Sequence, residues 1–366
     1  YYITYYLFLK KKVIKIIYMN ILYIANDALP NSHSILRANA FKRIGNNVLI
    51  KNVKNISSNN FFLKKIGFHY ITGYNFLQKK INNWIKIEEK NFIDFKPNLI
   101  VIDSGEVFGV KAIKTLKLLN CPIILLNMDD PTGPRDKNRF YSLKKAIPFY
   151  DYCFVVRECS VSEFKKLGCD NTFIFHRGYD ESMHKKKDYS QKIPDFYKSD
   201  ISFIGTWIRN ENRDHFIYSL IKNGLNVSIW GDRWHKSDIW NKIKIYHKGG
   251  AIYGQEYVSA IQGSKISLGF LSHGNRDKVT LRSYEVPFAG GLLCAERTNI
   301  HMNLFKEGQE AVFWSNAEEC TAICKKLLAD NELINQIKTA GYNKIINSEF
   351  GNEKVLQKII NQVFDK

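Results

Sequence analysis

Short apolar runs alternate along this chain with longer stretches in which apolar positions recur every three or four residues. In the first half the runs are Ile21–Ala25, Val48–Val53, Leu99–Asp103, Ile123–Asn127, Phe154–Arg157 and Thr172–Phe175. Several lack period-two alternation, the pattern of strands covered on both faces. Between them Ile35 to Ile44, Val107 to Leu119, Arg139 to Ile147 and Val161 to Leu167 read as helices. Residues 55–95 are less regular, and Phe61, Phe62, Phe68, Tyr70 and Trp84 suggest a partly buried insertion or a helical pair.

The alternation stops in the polar stretch 181–199, which reads as a linker, and then restarts. Second-half strands are expected at Ile201–Gly205, Val227–Gly231, Ile243–His247, Ile266–Phe270, Leu292–Ala295 and Val312–Trp314. Helices fit Arg213–Asn223, Gly254–Gln262, Thr280–Phe288, Ala317–Leu328, Glu332–Ile346 and Glu353–Val363. Repeated strand-then-helix order argues for parallel, doubly wound sheets. The expectation is an α/β protein with two Rossmann-like domains, 19–180 and 200–350, facing a cleft, closed by a C-terminal helix over 351–366. In such sheets ligands bind outside the carboxyl ends of the strands.

Composition narrows the class. The 366 residues are 45% hydrophobic, which is ample for sizeable cores and excludes a disordered chain. Seven scattered cysteines without a CxxC pair read as reduced thiols of a cytoplasmic protein, with neither a disulfide framework nor a metal site. The 54 basic side chains exceed the 35 acidic ones, giving a net charge of +19. Residues 1–18 contribute four lysines to that charge and no acid, and Met19 opens the first strand. Met19 is therefore expected to be the native start, with 1–18 an upstream segment or a short basic anchor at a membrane surface. Abundant Lys, Asn, Ile and Tyr suit an AT-rich genome, which accounts for part of the excess.

Candidate chemistry clusters at strand ends. The first loop carries Asp27, Ser32 and His33 ahead of a helix; Ser32 can cap that helix, or the loop can face an acceptor. Glu106, Asp129 and Asp130 follow strands, where carboxylates serve as bases, bind hydroxyls or form turns. Gly205, Thr206 and Arg209 make a small-residue turn before a helix, suited to phosphate. In the run Gly274 to Gly291, Arg282 and Glu285 are three apart and share a helix face. Lys278, Thr280 and Arg282 could hold a diphosphate and Glu285 a ribose diol, with Gly290 and Gly291 allowing close approach. An Arg–Glu helix pair with a glycine cap explains the same residues. The dinucleotide glycine fingerprint and the Walker loop are absent.

The run RSYEVPFAGGLLCAERT from Arg282 to Thr298 resembles the donor-site segment of CgeB-like glycosyltransferases, the spore-maturation type. LFKEGQEAVFWSNAEEC, NELINQIKTAGYNKI and FIGTWIRNENRDHF resemble further parts of that family's second domain. Asp129-Asp130-Pro131 and Tyr150-Asp151 resemble its first. The resemblance implies a GT-B fold with a nucleotide-sugar on the C-terminal domain and no bound metal or other cofactor. It implies that Glu285 binds the donor ribose, that Gly205 and Arg209 form the turn near the diphosphate, and that Arg282 and the Gly290–Gly291 loop after the helix belong to the donor site. Asp277 stands eight positions before Glu285, where the retaining pattern has a glutamate, so the stereochemistry stays open.

The implied activity is transfer of a sugar from a nucleoside-diphosphate sugar to a glycan, protein or lipid-linked acceptor, in cell-surface or spore-coat glycan synthesis. For an inverting reaction Asp130 is the first candidate base, with His33 and Glu106 after it. Two other readings are a nucleotide-sugar 2-epimerase on the same fold and a non-enzymatic basic module binding nucleic acid. The last lacks a nucleic-acid motif and does not account for a cleft.

Overall fold

The computed structural model describes residues 18–25, 27, 29–53, 56, 67–188 and 192–365. The expected upstream segment up to residue 17, together with Phe61 and Phe62, lies outside them. Two parallel six-stranded sheets organise the chain. In the first, β1 (Asn20–Ala25), β2 (Asn47–Asn52), β3 (Leu99–Asp103), β4 (Ile123–Asn127), β5 (Tyr152–Val155) and β6 (Thr172–Ile174) lie in the order β2-β1-β3-β4-β5-β6. The second holds β7 (Ser199–Ile204), β8 (Val227–Trp230), β9 (His247–Gly249), β10 (Ser264–Gly269), β11 (Leu293–Glu296) and β12 (Val312–Trp314). Its order is β12-β11-β10-β7-β8-β9, the doubly wound arrangement, with the reversal between β7 and β10.

The unbroken apolar runs have their cause in two-sided burial. In β1, Leu22 and Ile24 face one apolar core while Ile21, Tyr23 and Ala25 face another. The first face is covered by α2 (Gln78–Phe95), α3 (Val110–Leu116) and α4 (Tyr141–Ala146). The second is covered by α1 (His33–Arg43), while α5 (Glu158–Lys166) packs beside β5 and β6. Helices α6 (Arg213–Lys222), α7 (Gly254–Gly263), α8 (Arg282–Phe288), α9 (Asn299–Leu304), α10 (Ala317–Leu328) and α11 (Asn331–Ile346) complete the second domain. The last helix, α12 (Asn352–Phe364), returns to the first domain: Val355, Leu356, Ile359, Ile360 and Val363 form one apolar stripe against its core.

One strand is displaced from its expected place. Residues Trp240–Ile243 form a helical turn and Lys244–Tyr246 a 3-10 turn, and β9 starts only at His247. The apolar positions Trp240, Ile243 and Tyr246 are spaced by three, so they bury one side of a turn and leave Ile245 74% exposed. Within 55–95, the described residues 67–95 form short turns followed by the long α2. The cysteines are less scattered in space than in sequence. Cys294, Cys320 and Cys324 meet within 4.8 Å in the apolar core of the second domain.

Candidate active site

Strand order places the crevice of the second domain at the exits of β7, β8 and β10. Here Gly205 and Gly231 touch: a Cβ on Gly231, whose φ is +141°, would lie 2.2 Å from the Gly205 carbonyl oxygen. Behind them Arg213, buried at the start of α6, donates to the Thr206 carbonyl at 3.1 Å and the Leu271 carbonyl at 2.7 Å. It thereby ties together the loops leaving β7 and β10. Burial and the nearby Arg282 bring its guanidinium down to about 10, still cationic at neutral pH.

A pocket of about 150 Å³ opens onto this crevice, and both domains line it. Glu285 is at its centre, 3% exposed. Its Oε2 accepts from the Tyr257 hydroxyl at 2.8 Å, while its Oε1 is buried without a hydrogen-bond partner among the described residues. Two histidines approach that oxygen, His33 Nδ1 at 3.7 Å and His184 Nε2 at 3.8 Å. The His184 Nδ1 accepts the Asp180 backbone N–H at 3.0 Å, so in the neutral ring the proton sits on Nε2, facing Glu285. Burial alone would raise the Glu285 carboxyl. The neighbouring His184, His33 and Arg282 and the Tyr257 bond outweigh it and hold the group below its usual value.

His33 begins α1, where Ser32 caps the helix by accepting the Ile35 N–H at 3.4 Å. Desolvation between the domains, with His184, Arg37 and Arg282 nearby, outweighs Glu285 and brings the imidazole down to about 4. Water still reaches 47% of this side chain, and the downward shift leaves the ring neutral at pH 7. Arg282, on the same face of α8 as Glu285, donates from Nε to the Ile204 carbonyl and leaves the rest of its fork at the pocket wall.

Of the residues singled out from the sequence, His33, Gly205, Thr206, Arg282 and Glu285 thus meet at one pocket. The others do not line it. Asp27 turns its own loop, accepting the Leu29 N–H at 3.2 Å. Glu106 is held by the Arg139 fork and by the Tyr74 hydroxyl at 3.3 Å. Asp129 accepts from Ser104 at 3.4 Å, and burial raises its carboxyl. Arg209 and Lys278 are exposed, and Thr280 lies before α8 with its N–H directed to Ser283 Oγ at 3.3 Å.

Two expectations change outright. A Cβ on Gly290 would meet the Lys186 stem at 2.9 Å, and one on Gly291 would meet Ile261 at 2.4 Å. These glycines serve packing at the far end of α8, away from the pocket. Asp130 is also committed elsewhere. Arg276, from the β10–α8 loop, grips it with both prongs at 2.7 and 2.6 Å, and also grips Glu163 at 2.7 and 2.8 Å. This fork clasps the second domain to the first, and it occupies both Asp130 oxygens. Asp277 makes a second clasp, its Oδ1 accepting from Arg157 at 2.6 Å and Arg177 at 2.8 Å.

His184, Tyr257, Arg213 and Arg276 escaped the sequence reading. His184 lies in the polar linker, and its one local signal is Asp180, whose carboxylate caps the turn at Ser182 and Met183 at 3.1 and 2.8 Å.

Residues 211–361 match the glycosyl transferase-like family. No curated protein matches. Among solved structures, HepE of Anabaena in complex with UDP-glucose is 11% identical, with a TM-score of 0.65, over 95% of this chain and 100% of that one. Sucrose-phosphate synthase of Thermosynechococcus elongatus is 10% identical, with a TM-score of 0.66, over 94% and 99%. A Listeria monocytogenes protein assigned as a UDP-N-acetylglucosamine 2-epimerase is 12% identical, with a TM-score of 0.56, over 95% and 97%. The fold is GT-B. Among the described residues no helix is long and apolar enough to cross a membrane.

Proposed function

We propose that the protein is a glycosyltransferase that moves a sugar from a nucleoside-diphosphate sugar to an acceptor hydroxyl. The observation that carries this reading is the unpartnered Oε1 of Glu285, buried at the crevice where a doubly wound sheet binds nucleotides. A ribose diol would donate to that oxygen. The Gly205–Thr206 turn and Arg282, backed by Arg213, would face the diphosphate and stabilise its charge as it leaves. No metal or other cofactor has a step in this reading. The pocket's 150 Å³ is below the ~300 Å³ at which ligand sites begin, so the domains part to admit the donor and close to exclude water.

In an inverting reaction the base is His33 in this reading, in place of Asp130 and Glu106, whose carboxylates are held by arginines. His33→Ala should lower kcat by about 10²- to 10⁴-fold. Because the folded ring takes its proton only near pH 4, the acid limb of kcat/KM should fall well below 6.5. A limb at 6.5 or above removes His33 from that role. The same shift has a sign for stability. The unfolded chain protonates His33 below about 6.5, so its contribution is whole above that pH and is lost as the pH falls toward 4.

The resemblance around Arg282–Thr298 favours a CgeB-like enzyme acting in the cytoplasm on cell-surface or spore-coat glycans, as a hexosyltransferase. Its acceptor would be a glycan, protein or lipid-linked molecule, reached in part from a membrane surface. The test is thermal shift against UDP, GDP and TDP sugars, followed by donor consumption with and without acceptors. Stabilisation and acceptor-dependent turnover are expected. Conversion of the donor without acceptor would make it a 2-epimerase, and salt-sensitive RNA binding without nucleotide-sugar binding would overturn the enzyme reading.

A further inference from the structure

A second cavity lies between the domains, separated from the Glu285 pocket by α8. Tyr284 lines this one and Glu285 the other, and no described residue lines both. Its volume is about 800 Å³, within the range of ligand sites. Val156, Ile174, Val279, Leu304 and Phe350 give it apolar walls. It opens into a surface groove that shares His176, Asn303, Leu304 and Phe350 with it.

Its polar end is cationic. Arg157 and Arg177 are 5% and 7% exposed, and both spend their charge on the single oxygen Asp277 Oδ1. Their remaining bonds go to the carbonyls of Met128, Asp129 and Val279, which carry no charge. Asp277 is thus the one carboxylate bonded to this pair among the described residues, with Asp130 acting on Arg157 from further off and the exposed Glu158 on the cavity wall. Arg157 Nε is buried without a hydrogen-bond partner among the described residues, and burial and the neighbouring Arg177 depress this guanidinium despite Asp277 and Asp130. Lys278 adds an exposed ammonium beside them. A like-charged buried pair sharing one carboxylate gains from a second anion, and the apolar walls gain from a hydrocarbon chain.

We propose that this cavity binds a phosphate ester of a long-chain alcohol, with the phosphate at Arg157, Arg177 and Lys278 and the chain along Val279, Leu304 and Phe350. That this ligand is the acceptor rests on the glycosyltransferase reading; the binding does not. Titration calorimetry of the full chain with octyl phosphate, octyl glucoside and inorganic phosphate tests it, with UDP, GDP and TDP titrated in parallel. Octyl phosphate should bind at least about tenfold more tightly than either control, gaining the buried chain over inorganic phosphate and the charge-assisted bonds to arginine over octyl glucoside. Ile300→Glu and Leu304→Glu should each weaken it by a similar factor and leave UDP binding unchanged. Ile300 is 38% exposed, so its substitution is tolerated by the fold.

Equal binding of inorganic phosphate would mean a bare anion site, and equal binding of octyl glucoside an uncharged slot. Either result overturns the proposal, as does undiminished octyl phosphate binding in both variants. UDP binding without octyl phosphate binding sinks this inference alone. Octyl phosphate binding with no binding of UDP, GDP or TDP sinks the glycosyltransferase reading instead.

Discussion

Glu285→Gln should weaken UDP binding by roughly 10- to 100-fold and lower kcat/KM for the donor sugar at least as much, with a melting temperature within about 4 °C of the parent. The two carboxylate oxygens have different duties. Oε2 accepts from Tyr257 at 2.8 Å, a bond the glutamine carbonyl can keep, so the core around α7 and α8 is preserved. Oε1 is buried with only the imidazoles at 3.7 and 3.8 Å, beyond hydrogen-bond reach. A buried carboxylate oxygen in that condition costs about 1–3 kcal/mol, relieved when a ligand hydroxyl donates to it. Hydrogen bonds to a charged group are worth about 1.5–3 kcal/mol each, which sets the expected factor. Glutamine removes the charge and turns a donor toward the ribose donors. Calorimetry with UDP reads the effect, and an unchanged affinity would place the nucleotide outside this crevice.

The parts of the site that the sequence carried are those that neighbouring residues make for one another. Arg282 and Glu285 share a face through helical spacing, and Gly205 follows an apolar run that can only be a strand. The uninterrupted apolar runs predicted covered sheets, and Leu22 and Ile24 against Ile21 and Tyr23 show why: both faces are interior. Where the reading went astray, the deciding partner was distant in sequence. Asp130 looked free at a strand end, but Arg276, 146 residues later, occupies both its oxygens. Gly290 looked like a ligand turn, but it faces Lys186 of the linker. His184 lay in a stretch whose polarity suggested solvent, while the fold turns it inward beside Tyr257. The pattern of α12 was legible, but not that its stripe would cover the opposite domain.

Asp277→Ala should cost about 3–5 kcal/mol of unfolding free energy, the largest single-residue stability effect expected here. Asp277 invites a catalytic interpretation, standing eight residues before Glu285 where a retaining enzyme would carry its first acid. The structure gives it a different role. Among the described residues it is the one carboxylate that hydrogen-bonds Arg157 and Arg177, across 120 and 100 residues of chain. Alanine would leave two guanidiniums buried between the domains with only carbonyls as acceptors, and desolvation would no longer be offset by a charge. Asp277→Asn, which keeps an acceptor but no charge, should fall between. Arg276→Ala should also destabilise: water can take its place around the part-exposed Glu163, but Asp130, 1% exposed, would lose the charged partner of both its oxygens. Urea unfolding separates the two roles: a lower midpoint at constant slope in Asp277→Ala marks the clasp. Lost turnover at unchanged midpoint would return Asp277 to the chemistry, and with it the case for a retaining reaction.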